Sequence, residues 1–320
     1  ALASDRATDE TRSKVVALLY VMFLLGMALS SVIIGWLLRD FDQITLIRVV
    51  QGCAVMTMVL NMIALWKQEQ VHPMTAAEMT AAKPLFRESW RDFIAGGDAG
   101  RLLVLVIVGT LGFQMQDVLL EPYGGEILGL SVGSTTWLTA ANAMGALAGF
   151  GLAGRWMGQG HDAFRMAARG ILMGIAAFTA VLFAGITGSV VLFFVGACAI
   201  GLGAGLFAVS TLTAAMALPD RGASGHGLAL GAWGAAQATA AGVAIFAGGS
   251  LRDGIGALIA NGSLGPGLTD ASSAYSIVYQ LEIGLLFASL IVLGPLVRLG
   301  TIKPTQQTGK ARMAIAEFPT

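Results

Sequence analysis

Residues 190–218 read VVLFFVGACAIGLGAGLFAVSTLTAAMAL, from Val190 to Leu218, and carry no charged side chain. At 1.5 Å rise per residue, such a helix is long enough to cross the ~30 Å of hydrocarbon in a bilayer. Lipid offers no partner for backbone amides, so a run of this kind spans as an α-helix. Gly201 and Gly205 sit four apart within it. In water they would weaken a helix, whereas in a membrane they let two backbones approach closely.

The same signature recurs in both directions from this run. Eight spans are expected, over Val15–Leu38, Thr45–Trp66, Leu102–Leu120, Val132–Gly154, Gly170–Thr187, Val190–Leu218, Leu228–Gly248 and Tyr275–Val297. Composition agrees: 56% of the 320 residues are hydrophobic and 12% charged, where a soluble domain carries about a quarter charged residues. The net charge of zero creates no field that would gather nucleic acid. Cys53 and Cys198 lie inside apolar runs and read as small hydrophobes, with no disulfide or metal-ligand spacing around them.

Basic residues orient the spans. With Ala1–Lys14 in the cytoplasm, sixteen of the nineteen Lys and Arg fall on the cytoplasmic side, and only Arg39, Arg48 and Arg252 on the other. This positive-inside asymmetry places both ends of the chain in the cytoplasm. The long connection between Lys67 and Arg101 contains Pro84–Ile94, where Phe86, Trp90, Phe93 and Ile94 recur at helical spacing among Arg87, Glu88, Arg91 and Asp92. That pattern predicts an amphipathic helix lying in the membrane interface, where its simplest role is to tether the linker.

Two short likenesses within the chain suggest its organisation. Asp5–Arg6 and Asp220–Arg221 each stand at a cytoplasmic helix entrance, 215 residues apart. That spacing suits a transporter of two six-span halves related by an axis along the membrane normal. The loop Gly149–Arg155 is similar to the glycine–acidic–arginine loop of the major facilitator superfamily, with Gly154 where an Asp is usual. The expected fold is therefore an all-α polytopic bundle of major-facilitator type, with the eight spans as the fifth to twelfth of twelve. On this register residues 1–66 end an amino-terminal half, 67–100 form a central linker, 101–298 form the carboxy-terminal six-helix half, and 299–320 form a cytoplasmic tail. The chain lacks an initiator Met, so its numbering is expected to begin inside a longer protein.

Charge inside a membrane is costly, so ionisable residues there are functional candidates. The third span holds Gln114, Gln116, Asp117, Glu121, Tyr123 and Glu126. Gln114, Asp117 and Glu121 are spaced i, i+3, i+7 and are expected to share one helix face. Pro122 disfavours helical geometry at Glu121 and is expected to end the helix there, with Gly124 and Gly125 forming a tight turn. A polar lining that opens to the far side of the membrane is the functional reading; headgroup-level carboxylates and interhelical hydrogen bonds are the structural one. Asn142, Gln237 and Glu282 could face the bundle interior and are expected to act chiefly as interhelical glue. His72 and His161 fall in loops, and His226 stands just before the seventh span. The pairs Gly145/Gly149, Gly170/Gly174, Gly201/Gly205 and Gly227/Gly231 have the spacing of tight helix packing, or of a groove for a flat lipophilic ligand.

The stretch Phe113–Gly129, followed by Thr135–Thr139, together with Arg12–Met22 and Asn61–Glu69, closely resembles the PucC/LhaA family, a pigment-associated branch of the major facilitator superfamily in phototrophic bacteria. The resemblance covers essentially the whole chain. It implies a bacterial inner, photosynthetic intracytoplasmic membrane and a non-enzymatic part in assembling light-harvesting complexes, by delivering or shielding bacteriochlorophyll. The implied partners are antenna polypeptides, a reaction-centre or light-harvesting complex, and pigment-synthesis enzymes. On this reading Gln114, Gln116, Asp117, Glu121, Tyr123, Glu126, Asn142 and His226 are the pigment- or partner-binding candidates, with His226 able to offer an imidazole to a magnesium porphyrin. The competing reading is a secondary transporter of a small solute using Asp117 and Glu121. Its weakness is that the central thirds of the spans are almost uncharged. An intramembrane enzyme is disfavoured, because no span pairs a nucleophile with a base.

Overall fold

The computed structural model describes residues 43–66, 86–95, 97–218, 226–263, 265 and 272–301, together with Met22, Gly26, Leu29, Ser30, Ile33 and Leu37. Among the described residues all regular structure is helical. In chain order the helices are α1 (Gln43–Leu65), α2 (Phe86–Ala95), α3 (Asp98–Gln114), a 3₁₀ turn (Met115–Val118), α4 (Leu120–Glu126), α5 (Val132–Gly158), α6 (Ala163–Thr187), α7 (Val190–Met216), α8 (His226–Ala260) and α9 (Ser272–Thr301). The Val15–Leu38 span lies outside the described residues apart from the six positions named above, and the Asp5–Arg6 and Asp220–Arg221 pairs lie wholly outside them.

Local chemistry sets several helix ends. Ser131, Asp162 and Ser189 stand at the N-caps of α5, α6 and α7, and their side chains accept the backbone N–H groups of Ser134, Arg165 and Leu192. Such caps satisfy amides that the first turn leaves without a carbonyl. Gly188 closes α6 in the left-handed region at φ 65°, a conformation that costs glycine nothing.

Six helical segments are long and apolar enough to cross a membrane: Ile47–Leu65, Asp98–Val118, Ala163–Thr187, Val190–Met216, Gly227–Ala260 and Ser272–Val297. α5 has the length, at 27 residues, but is not one of them. The expected boundary at Gly248 is wrong. α8 continues to Ala260 and carries Arg252 and Asp253 within the helix, because these charges pair with one another and with Glu126.

Two kinds of seam hold the bundle. α5 and α7 meet backbone to backbone. A Cβ built on Gly145 would run into the carbonyl of Cys198, and one on Gly201 into the carbonyl of Asn142. Gly170 on α6 and Gly203 on α7 interlock in the same manner, with a Cβ on either coming within 2.7–2.8 Å of the other's carbonyl oxygen. α3, α6 and α9 instead pack through aromatic and aliphatic side chains. Phe113 lies 5.7 Å from Phe207 and 6.5 Å from Phe178, and Phe178 lies 6.1 Å from Tyr279, ring centre to ring centre. Among the described residues no part of Ile47–Leu65 is buried.

α8 packs along α3 and meets the 3₁₀ turn at Gly248, where a Cβ would approach the carbonyl oxygen of Met115 to 2.6 Å. At Gly227 and Gly231 nothing lies within 4 Å of a built Cβ. This last glycine pair is therefore not a tight packing motif but one wall of an open groove. The amphipathic helix predicted over Pro84–Ile94 forms as α2, and its Phe86 and Trp90 stack at 6.1 Å and line the same groove.

Candidate functional site

Three sequence-based expectations for the third span fail together. The α-helix stops at Gln114, and Met115–Val118 tightens into a 3₁₀ turn before α4 begins at Leu120. Gln114, Asp117 and Glu121 are thus not three positions on one continuous helix face. Pro122 does not end a helix; it stands in the first turn of α4, where its missing N–H costs no intrahelical bond. Gly124 and Gly125 lie within α4, and the turn falls at Gly129, with φ 64°.

The cause of the break is distant in sequence. The backbone N–H of Gln116, released from the α-helical ladder, donates to Oε1 of Glu282 on α9 at 2.7 Å. Met115 meanwhile presses its carbonyl against Gly248 of α8. A buried carboxyl on one side and a glycine on the other replace the continuous helix.

Around this break the predicted residues separate into distinct environments. Gln116 is buried, and its Nε2 donates to Oδ1 of Asp117, which is itself exposed. Gln114 is half-buried. Glu121 is exposed and accepts from the Thr139 hydroxyl on α5. One turn further along α5, Asn142 donates to the Ala197 carbonyl of α7 at 3.2 Å, strapping the glycine seam. Tyr123 is buried in an aromatic cage, 5.5 Å from Phe193, 5.3 Å from Tyr275 and 5.4 Å from Tyr279. Glu126 accepts from Arg252 at 2.5 Å and from the Tyr275 hydroxyl at 2.9 Å, while the Arg252 guanidinium lies over the Tyr275 ring at 4.8 Å. His226 is the first residue of α8, and its side chain is outside the described residues.

Arg252, Tyr275, Tyr279 and Phe193 complete this end of the bundle without having been singled out from sequence. Tyr275, Tyr279 and Glu282 do follow an i, i+4, i+7 stripe on the eighth span, which was the available signal. Among the described residues no group of three or more His, Cys, Asp and Glu could hold a metal ion.

The groove is the second feature. It encloses about 680 Å³ between α2, α3 and α8. Its walls include Phe86, Trp90, Ile107, Gly231, Ala235 and Thr239, and the hydroxyl of Thr239 is the one hydroxyl among its lining residues. Such a space takes a flat apolar body and offers it almost no competing polar group.

These features define a polytopic α-helical membrane protein with a broken span over a buried carboxyl and an apolar lateral groove. The chain belongs to the PucC family: the family described as "PUCC protein" matches residues 1–301. It is 62% identical over its whole length to a Rhodobacter capsulatus protein described as "Uncharacterized protein in puhA-bchM intergenic region", covering 67% of that protein. It is 45% identical over 93% of its length to Protein PucC of Cereibacter sphaeroides, covering 63% of that protein. A "Bacteriochlorophyll synthase 44.5 kDa chain" of Rhodobacter capsulatus matches at 26% identity over 76% of the chain and 56% of its own length. The chain thus spans about two thirds of the length of the first two relatives.

Proposed function

We propose that this chain serves as a non-enzymatic membrane factor in assembling bacterial light-harvesting complexes, holding bacteriochlorophyll while antenna polypeptides are brought together. The family supplies the class of function, and the name of one relative, a bacteriochlorophyll synthase chain, supports a pigment context. The observation that carries the reading is the groove between α2, α3 and α8. Gly231, Ala232 and Ala235 would suit the face of a macrocycle, Phe86 and Trp90 its edge, and Thr239 would supply a hydroxyl as a ligand or hydrogen-bond donor. Bacteriochlorophyll, when held, brings the light-absorbing macrocycle that an antenna needs; the chain's own residues exclude water and present an apolar wall. We assign the exposed carboxylates of Asp117 and Glu121 to recognition of antenna polypeptides. The orientation in this reading has the arginine-rich end cytoplasmic, in the inner photosynthetic membrane.

Gly231→Leu tests the groove, because the added side chain enters open space rather than a neighbour. The variant is expected to reach the membrane at the wild-type level and to lose co-purified pigment, read as near-infrared absorbance. Unchanged absorbance per protein would remove the groove from the proposal. Asp117→Asn with Glu121→Gln keeps size and shape and removes charge. Normal insertion with failed antenna assembly is expected, and assembly at the wild-type rate would make these carboxylates purely structural. Glu282 is a buried carboxyl well inside α9 and is the observation that favours the transporter reading. Steady uptake of a water-soluble solute into proteoliposomes, abolished by Asp117→Asn, would replace the assembly reading with it.

A further inference from the structure

We infer that Glu282 is a proton-binding site inside the membrane, and that its bound proton holds the Gln116 turn against α9. This rests on neither functional reading above. Glu282 is 0% exposed and stands ten residues into α9, ~15 Å from the start of that helix. Its Oε1 accepts the Gln116 backbone N–H. Among the described residues its Oε2 is buried with no hydrogen-bond partner, and so are the Tyr279 hydroxyl, one turn away on α9, and Oε1 of Gln116.

An ionised carboxylate held by a single amide would be strongly disfavoured in such a place unless a cation were paired with it. The neighbouring elements supply none among the described residues. α3 carries Asp98 and Arg101, and α6 carries Arg165 and Arg169, each at the opposite end of the helix from this cluster. Arg252 of α8 is engaged by Glu126 and Asp253. The titratable groups beside Glu282 are Asp117 on the 3₁₀ turn and Tyr279 on α9 itself, and a charge on Asp117 would raise the cost of a second negative charge. Tyr123 of α4 and Tyr275 of α9 complete the tyrosine cluster around Tyr279.

One proton resolves this arrangement. Taken from water and placed on Oε2, it turns an unmatched acceptor into a donor. The unmatched Oε1 of Gln116, on the residue whose amide Glu282 already accepts, is the candidate acceptor for it, and Oε1 of Glu282 remains the carbonyl that receives the Gln116 amide. Loss of the proton would place a charge beside Asp117 and remove the donor. The broken segment of the third span is therefore coupled to a protonation event.

Infrared spectroscopy of the full chain in lipid at neutral pH tests the site. Wild type is expected to show the carbonyl stretch of a protonated carboxylic acid. The band should shift on ¹³C-glutamate labelling, disappear in Glu282→Gln and persist in Asp117→Asn. A labelled wild type without the band at neutral pH, or a band that survives Glu282→Gln, overturns the inference. If Glu282→Gln does not accumulate, the label on wild type decides alone, because the other described glutamates, Glu88, Glu121 and Glu126, are exposed. Hydrogen exchange over residues 112–120 tests the coupling. Glu282→Gln should keep wild-type protection there, as a neutral mimic of the protonated acid, and Glu282→Leu should lose it. Equal loss in both variants would mean that the charged form is needed, and would refute the assignment.

Discussion

Gly201→Leu is expected to abolish accumulation of folded protein. A Cβ at this position runs into the main-chain carbonyl of Asn142, so neither a rotamer change nor a flexible neighbour can absorb the intrusion. Relief requires α5 and α7 to separate, which breaks the reciprocal contacts at Gly145 and Gly205 and the Asn142–Ala197 strap. Overpacking a well-filled core typically costs ~1–3 kcal/mol when side chains can adjust. A backbone-on-backbone collision lies at or above that upper end, a large part of the few kcal/mol by which proteins are stable. The measurement is the amount of monodisperse protein recovered from membranes by size exclusion. Gly231→Leu, the same chemical change in open space, is the control. Equal recovery of both variants would show that the seam yields more readily than its geometry implies.

Tyr123→Ala is expected to have the next largest effect, lowering stability by ~3–5 kcal/mol, the range for deleting a buried aromatic side chain. The ring fills the centre of a cage made by Phe193, Tyr275 and Tyr279, and its hydroxyl lies over Gly185 where no side chain intervenes. Removing it leaves a void among four helices that cannot collapse without moving α9. Tyr123→Phe keeps the ring and should cost only ~1 kcal/mol, the net worth of an ordinary hydrogen bond. Thermal unfolding of the two variants beside wild type checks the ordering. A Tyr123→Ala midpoint equal to that of Tyr123→Phe would mean that the cage repacks freely.

What could be read without coordinates was what is local. The apolar run Val190–Leu218 becomes α7 almost to the residue, and the spacing of Phe86, Trp90 and Phe93 becomes α2, because helical period and length are written in consecutive residues. The glycine pairs at Gly145/Gly149 and Gly201/Gly205 pack as their spacing foretold, whereas Gly227/Gly231 has the same spacing and does not. A spacing motif identifies a helix surface that permits close approach, not the helix that will use it. The i, i+3, i+7 face of Gln114, Asp117 and Glu121 was misread for a related reason. Helical regularity was extrapolated through a position where Glu282, 166 residues later, competes for the Gln116 amide. Glu282 reads from sequence as interhelical glue, since a lone acidic residue in an apolar run does not disclose whether its second oxygen is matched. The far end of α8 was missed because Arg252 and Asp253 end an apolar run in sequence but neutralise one another in space.

The glycine seam has a mechanical consequence. Glycine has no rotamer to surrender when it packs, so the contacts at Gly145, Gly149, Gly170, Gly201, Gly203 and Gly205 fix α5, α6 and α7 with no loss of side-chain freedom at those positions and no alternative side-chain arrangement there. A joint without alternatives cannot slide by small increments; it is either closed or pulled apart. α5, α6 and α7 therefore behave as one stiff body. Compliance is left to the contacts made through side chains. The groove between α2, α3 and α8 lies outside that body, so its width is set by contacts that side chains can adjust.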